Sequence, residues 1–146
     1  MINESVKIKG RLHVIHMDDA GIVKNTRDVD NLVVHVGKEV IAARLAGNTI
    51  PLPSHMAIGS SATAASTSQT GLGGELGRVA LDSTSRTSNT NQYVATFPAA
   101  TGTGAIQEAG IFNDGTSGNM LCRTTFDVVN KAAGDTIIIT WNITIA

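Results

Sequence analysis

Apolar and polar residues alternate most regularly at the C-terminal end of the chain, in the stretch "GDTIIITWNITIA". The apolar residues occupy every second position and are Ile137, Ile139, Trp141, Ile143 and Ile145. Because successive side chains of a strand point to opposite faces, these residues share one face. Burying each of them contributes roughly 1.5–3 kcal/mol, so we predict that this face closes the protein core.

Alternation, or short apolar runs bounded by turn residues, predicts further strands along the chain. The first, "SVKIKGRLHV", has apolar residues on one face and mostly basic residues on the other. A second, short strand is predicted around Ile22 and Val23, after the turn "DDAG". The remaining predicted strands are "HMAIGSS", "GRVALDS", "NQYVATFP", "GAIQEAGIFND" and "NMLCRTTFDVV".

One segment shows helical spacing instead. Asp30 or Asn31 is suited to cap a helix whose apolar residues recur every three or four positions. Gly47 is suited to end it in the left-handed conformation. Gly37 costs on the order of 1 kcal/mol relative to alanine inside a helix, so the alternative is a helix that begins only at Lys38.

Closely spaced strands with one helix in the N-terminal third predict a mainly β fold. We expect an antiparallel β-sandwich of jelly-roll type. The chain has 146 residues and no internal repeat. A chain of this length buries roughly 70% of its unfolded surface around one core, so we expect a single domain over residues 1–146.

Charge and composition exclude several classes of function. The 11 basic and 12 acidic residues leave a net charge of -1, which does not favour nucleic acid or an anionic membrane as a partner. The N-terminus has no apolar signal region and no window is long enough to span a membrane, so we expect synthesis in the cytoplasm. The only cysteine, Cys122, lies in "MLCRTTF" and is interpreted as a buried structural residue.

The distribution of charge is more informative than its sum. Asp, Glu, Lys and Arg are absent from residues 45–74, 87–107 and 136–146. The first of these ranges contains the low-complexity run "SSATAASTSQTGLGG", which predicts a long loop. The last strand also lacks the lysine, proline or bulge that guards a sheet edge. Either this strand is central in its sheet or neighbouring subunits cover it. The uncharged loops favour the second interpretation, because the cores of protein interfaces are depleted in charge.

No motif predicts catalysis or cofactor binding. "GLGGELG" fits neither phosphate-loop spacing and is interpreted as a flexible loop. His13 and His16 are three residues apart, which places them on opposite faces of a strand, and His35 and His55 are isolated. Without a G-x-S-x-G motif or a histidine near the cysteine in sequence, we expect no enzymatic activity, no cofactor, no small-molecule substrate and no metal.

Four charged residues stand out because each lies among apolar neighbours: Glu75, Arg78, Glu108 and Arg123. A bidentate pair between an arginine and a carboxylate among them would fix the register of the fold more than it would add stability. The alternative is four separate surface charges.

The order of these segments resembles a class of small virion structural proteins of tailed bacteriophages. The resemblance runs over residues 31–146, from "NLVVHVGKEVIAARLAG" through "GLGGELGRVAL" and "MLCRTTFDVVNK" to "DTIIITWNITI". Its "IQEAGIFND" is similar to the E-x-G-[IL]-F segment that precedes a sheet-closing strand in tail-fibre and collar attachment domains. The resemblance implies a structural component of the virion, without fixing its place on the particle.

Two placements follow from the resemblance. In the preferred one, the chain is a capsid-decorating (cement) protein, often a trimer, that binds the major capsid protein, with residues 1–10 as an extended arm across a neighbour. The alternative is a tail, baseplate or fibre-attachment adaptor. A third hypothesis, a small carbohydrate-binding β-sandwich, needs exposed aromatic rings, and we expect Tyr93 and Trp141 to face the core instead.

Overall fold

The computed structural model describes residues 4–146, which form an antiparallel β fold with one helix. Its strands are β1 (Ile8–Met17), β2 (Val23–Val33), β3 (His55–Gly59), β4 (Glu75–Ala80), β5 (Ser83–Thr87), β6 (Thr90–Phe97), β7 (Gly104–Phe112), β8 (Met120–Lys131) and β9 (Thr136–Ile145). The helix α1 spans His35–Leu45. The predicted mainly β class is therefore confirmed. Within residues 4–146 no helix is long and apolar enough to cross a membrane.

The strands form one sheet in the order β4-β3-β7-β8-β2-β1-β9-β6-β5, with antiparallel neighbours throughout. Strand β2 joins its two halves, because most of its length pairs with β1 while Leu32 and Val33 pair with β8. The sheet curls into a half-barrel, so that its two halves enclose a common core as in a sandwich. The antiparallel sandwich-like fold is confirmed, and the narrower jelly-roll assignment stays a prediction.

Strand β9 is central, between β1 and β6, which explains why it carries no edge guard. Ile137, Ile139 and Trp141 are fully buried and Ile143 is nearly so. Ile145 differs from the other four because it is 40% exposed, at the end of the strand. Four of the five predicted core residues thus lie in the core, and the fifth lies at its rim.

The helix begins later than its predicted cap. Asp30 and Asn31 remain in β2, where they pair with Arg11 and Gly10 of β1, and Asn31 Oδ1 accepts a 2.8 Å hydrogen bond from Trp141 Nε1. The capping preference of these residues is overridden because both side chains have partners elsewhere in the fold. The residue that precedes the helix, Val34, makes no capping side-chain bond.

Gly37 lies inside the helix instead of delaying it, so the predicted start at Lys38 is wrong. A Cβ at this position would clash with the carbonyl oxygen of Leu121 in β8, so only glycine permits this close packing of helix on strand. Gly47, with φ +81°, follows the helix as predicted.

The predicted N-terminal arm over residues 1–10 overlaps β1. Ile8 pairs with Ile145, and Lys7 exchanges backbone hydrogen bonds of 3.0 and 2.7 Å with Ala146. Residues 1–3 lie outside the described part of the chain. An arm that reaches a neighbouring subunit would therefore consist of residues before Lys7.

Candidate functional site

A buried carboxylate lies at the centre of the most elaborate polar cluster in the protein. Glu108 is in β7, where most neighbouring side chains face the core, and it is fully buried. Its carboxylate accepts backbone N–H bonds from Ser61 at 2.9 Å, Gly73 at 2.8 Å and Gly74 at 2.7 Å. Such bonds offset the cost of removing the carboxylate from water.

Arg123 of the adjacent strand β8 completes the cluster. Its Nε and Nη2 lie 3.1 and 3.0 Å from Glu108 Oε1, and the side chain is 1% exposed. Its Nη1 donates to the carbonyl oxygen of Thr63 at 2.9 Å and to Gln69 Oε1 at 3.1 Å. The arginine and the carboxylate therefore bind the same segment from two sides.

Together these contacts hold the uncharged segment between β3 and β4, which we call the anchored loop (residues 60–74). The segment has no charged side chain of its own, so the ion pair beneath it supplies the strong hydrogen-bonding partners. The sequence predicted a long loop here, and the structure shows a loop whose backbone is hydrogen-bonded near its start at Ser61, in its middle at Thr67 and at its end at Gly73. The glycine-rich "GLGG" does bind an anion, but that anion is the protein's own Glu108.

The other two predicted residues form a second, separate pair. Arg78 Nη2 and Nε lie 2.6 and 3.2 Å from the two oxygens of Glu75, in fork geometry. Arg78 also donates to the carbonyl oxygens of Asp114 and Ser117, and its guanidinium lies 3.8 Å from the centre of the Phe112 ring. This pair is partly exposed and ties β4 to the turn after β7.

Sequence reasoning missed a third polar cluster, around His16. Its Nε2 lies 2.8 Å from Asp135 Oδ2, and Asn25 Nδ2 lies 3.1 Å from its Nδ1, so both ring nitrogens have a polar partner. The backbone N–H of Ala132, the bond with His16 and the nearby Lys24 lower the pKa of Asp135 to about 2, although its burial opposes the shift.

His13 lies on the other face of β1 from His16, as predicted, and bonds to Asp28 at 2.8 Å. Within residues 4–146 no three His, Cys, Asp or Glu residues are grouped to hold a metal ion. Burial raises the pKa of the Cys122 thiol, which disfavours the reactive thiolate.

The aromatic residues are all in the interior. The chain has five of them, and each is at most 8% exposed: Tyr93, Phe97, Phe112, Phe126 and Trp141. Sugar sites commonly stack an aromatic ring on the ligand, so the carbohydrate hypothesis loses the residues on which it depended.

The outer face of β5, β6 and β9 carries hydroxyl and amide side chains without charge. Thr90 and Thr144 are joined by a hydrogen bond of 2.9 Å, and Gln92 Nε2 donates to Asn142 Oδ1 at 3.3 Å. Ser85 continues the row on the edge strand β5. A rigid, uncharged polar face of this kind suits contact with another protein surface.

Taken together, the polar clusters position backbone segments and surfaces. Glu108, Arg123, Arg78 and Asp135 each bond to the backbone of a loop or turn. We therefore treat the anchored loop and the uncharged outer face as the candidate functional surfaces, and the ion pair Glu108–Arg123 as the group that positions the loop.

Residues 32–144 match the model of a protein family described as "Podophage GP4 fiber I protein gp80". This range is most of the chain, and the match supports a structural role in a phage virion. No curated protein and no solved structure gave a significant match.

Proposed function

We propose that this chain, which belongs to the family of podophage GP4 fiber I protein gp80, is a non-enzymatic structural subunit of a phage fibre. The observation that carries the proposal is the family match, which covers residues 32–144 and therefore most of the folded domain. It agrees with the phage virion class indicated by the order of the segments.

The surface of the molecule supports assembly as its task. The anchored loop and the outer face of β5, β6 and β9 are uncharged, and the cores of protein interfaces are depleted in charge. Both are held by internal hydrogen bonds, so little conformational entropy remains to be lost on association. We infer that the partners are further copies of this chain and other virion proteins.

The family description favours a fibre over the capsid surface. Capsid decoration was the preferred placement from the sequence, and a tail, baseplate or fibre-attachment adaptor was its alternative. The family description names a fibre protein and is therefore closer to this alternative than to capsid decoration, so we place the chain in a fibre. No feature of the described residues favours decoration specifically.

Electron microscopy of virions labelled with an antibody against this chain tests the proposal. We expect label on the fibres and none over the head. Label spread over the head would move the protein to the capsid surface, and virions without label would refute the virion role. Antibody preincubated with purified protein serves as the control, because it must abolish any specific label.

A further inference from the structure

The turn between β1 and β2 presents an acidic and apolar tip. We call this surface the tip; it consists of residues 18–23. Asp18 Oδ1 accepts the N–H groups of Ala20 and Ile22 at 2.9 Å each, which fixes the turn. Ile22 is 63% exposed and Val23 is 54% exposed, although large apolar side chains are normally buried.

An apolar groove opens at the other end of the same sheet. It lies between α1, β6 and β9, has a cavity volume of about 340 Å³ and continues past Leu52 towards the edge strand β5. Its rim contains exposed apolar residues, since Leu45 is 85%, Leu52 58% and Ile145 40% exposed. Large exposed apolar side chains gathered at one groove mark a binding surface.

The two surfaces have complementary charge. The lining of the groove contains Arg44 and Arg86, and none of the described residues that line it is acidic. The tip contains Asp18 and Asp19 and no base; the next basic residue along the strand, Lys24, lies 3.4 Å from Asp135. Each surface thus offers apolar contacts and the charge that the other lacks.

The surfaces lie at opposite ends of β1. Ile8, at the start of the strand, pairs with Ile145 of the groove, and Met17, at its end, leads into the tip. Ten residues of strand separate the ends by about 30 Å. The tip of a molecule therefore does not reach its own groove.

We propose that the tip of one copy docks in the groove of the next, so that copies of this chain associate head to tail. Such a contact is heterologous, and repetition extends it into a filament or closes it into a ring. The inference rests on the proposed function and deepens it, because it names the surfaces through which fibre subunits contact each other.

Two variants test the tip and the groove independently. Ile22→Glu disables the tip and Leu45→Glu disables the groove, and both residues are exposed enough for the fold to be retained. Val128→Glu is the matched control, because Val128 is an exposed apolar residue outside both surfaces. Equal thermal unfolding of all three variants and the parent chain verifies their folding.

Sedimentation velocity over a wide concentration range gives the readout. We expect the parent chain and Val128→Glu to form species larger than a dimer, and each of the other variants to stay monomeric. Losing the burial of one such apolar side chain weakens the Kd about tenfold or more. In Leu45→Glu, repulsion between the new carboxylate and Asp18 and Asp19 of the tip adds to this loss. An equimolar mixture of Ile22→Glu and Leu45→Glu should form a dimer that does not grow, because one tip and one groove remain intact.

A monomeric parent chain, a mixture that stays monomeric, or an equal effect of Val128→Glu would overturn the head-to-tail contact. Virion labelling is independent of these results. Fibre label with a monomeric chain would refute only the contact, whereas label on the head would refute the fibre role.

Discussion

Replacing Glu108 with glutamine removes the charge that holds the anchored loop and leaves the shape of the side chain nearly unchanged. The carboxylate accepts three backbone N–H groups, from Ser61, Gly73 and Gly74, and also neutralises Arg123. A glutamine has one acceptor oxygen and presents an NH₂ group to donors, so several of these contacts are lost. Arg123, with 1% exposure, remains buried without its counter-charge.

The expected loss of unfolding free energy is about 3–5 kcal/mol, the range for removing one partner of a buried ion pair. At about 2–4 °C per kcal/mol for a chain of this size, the melting temperature falls by about 6–20 °C. A loss of this size is a large part of the total stability of a typical domain, about 5–15 kcal/mol.

Urea unfolding followed by circular dichroism measures this loss, and amide hydrogen exchange localises it. We expect the N–H groups of Ser61, Gly73 and Gly74 to lose protection in Glu108→Gln, because their acceptor is weakened. Glu75→Gln is the matched control, because it removes the carboxylate from the partly exposed pair with Arg78. The Glu75 side chain is 36% exposed, so this change should lower the unfolding free energy by at most about 1 kcal/mol. Equal losses in the two variants would refute the conclusion that the buried pair anchors the loop.

Three further outcomes follow from the packing and the pKa shifts. Gly37→Ala should lower the unfolding free energy by about 1–3 kcal/mol in a denaturant titration, because its Cβ meets the Leu121 carbonyl oxygen; a gain in stability would contradict this. Asp135 has a pKa lowered from 3.8 to about 2 in the folded protein, so its contribution is complete above about pH 3.8 and lost as the pH falls through 2. Unfolding titrations between pH 2 and 5 should therefore show a smaller dependence on pH for Asp135→Asn than for the parent chain, and identical slopes would exclude this contribution. Cys122 should react with a thiol reagent only after unfolding, since burial raises its pKa; rapid reaction of the folded protein would contradict its burial.

The strands that form the core were predictable because they alternate. β1, β6 and β9 each place apolar residues inward at alternate positions, so period two is visible without any knowledge of the fold. β5 was missed because its five residues, "STSRT", are all exposed and carry no apolar row.

β2 was predicted too short for a different reason. Some of its polar side chains have specific partners: Asn25 bonds to His16, and Arg27 donates to the carbonyl oxygens of Asp127 and Val128. Those partners are distant in sequence or lie on a neighbouring strand. A polar residue in such a position looks like a solvent-facing one until the tertiary structure is known.

The candidate site was half predictable. Glu108 and Arg123 were singled out because a charge between apolar residues is costly to bury and is therefore paired. The two residues are 15 positions apart in the sequence. They pair because of the register between β7 and β8, which the sequence does not specify. The three loop N–H groups that complete the site come from uncharged residues whose identity gives no sign of this role.

A common physical device links the loops of this protein. Glu108 accepts N–H groups of the anchored loop, Asp18 those of the tip, and Asp135 that of Ala132 in the turn before β9. In each case a carboxylate accepts the backbone N–H groups that a neighbouring strand would bind inside the sheet. Segments held in this way lose little conformational entropy when a partner binds, so more of the contact energy remains as affinity. The anchored loop therefore stays ordered without a charged side chain of its own, in a chain that has 12 acidic and 11 basic residues.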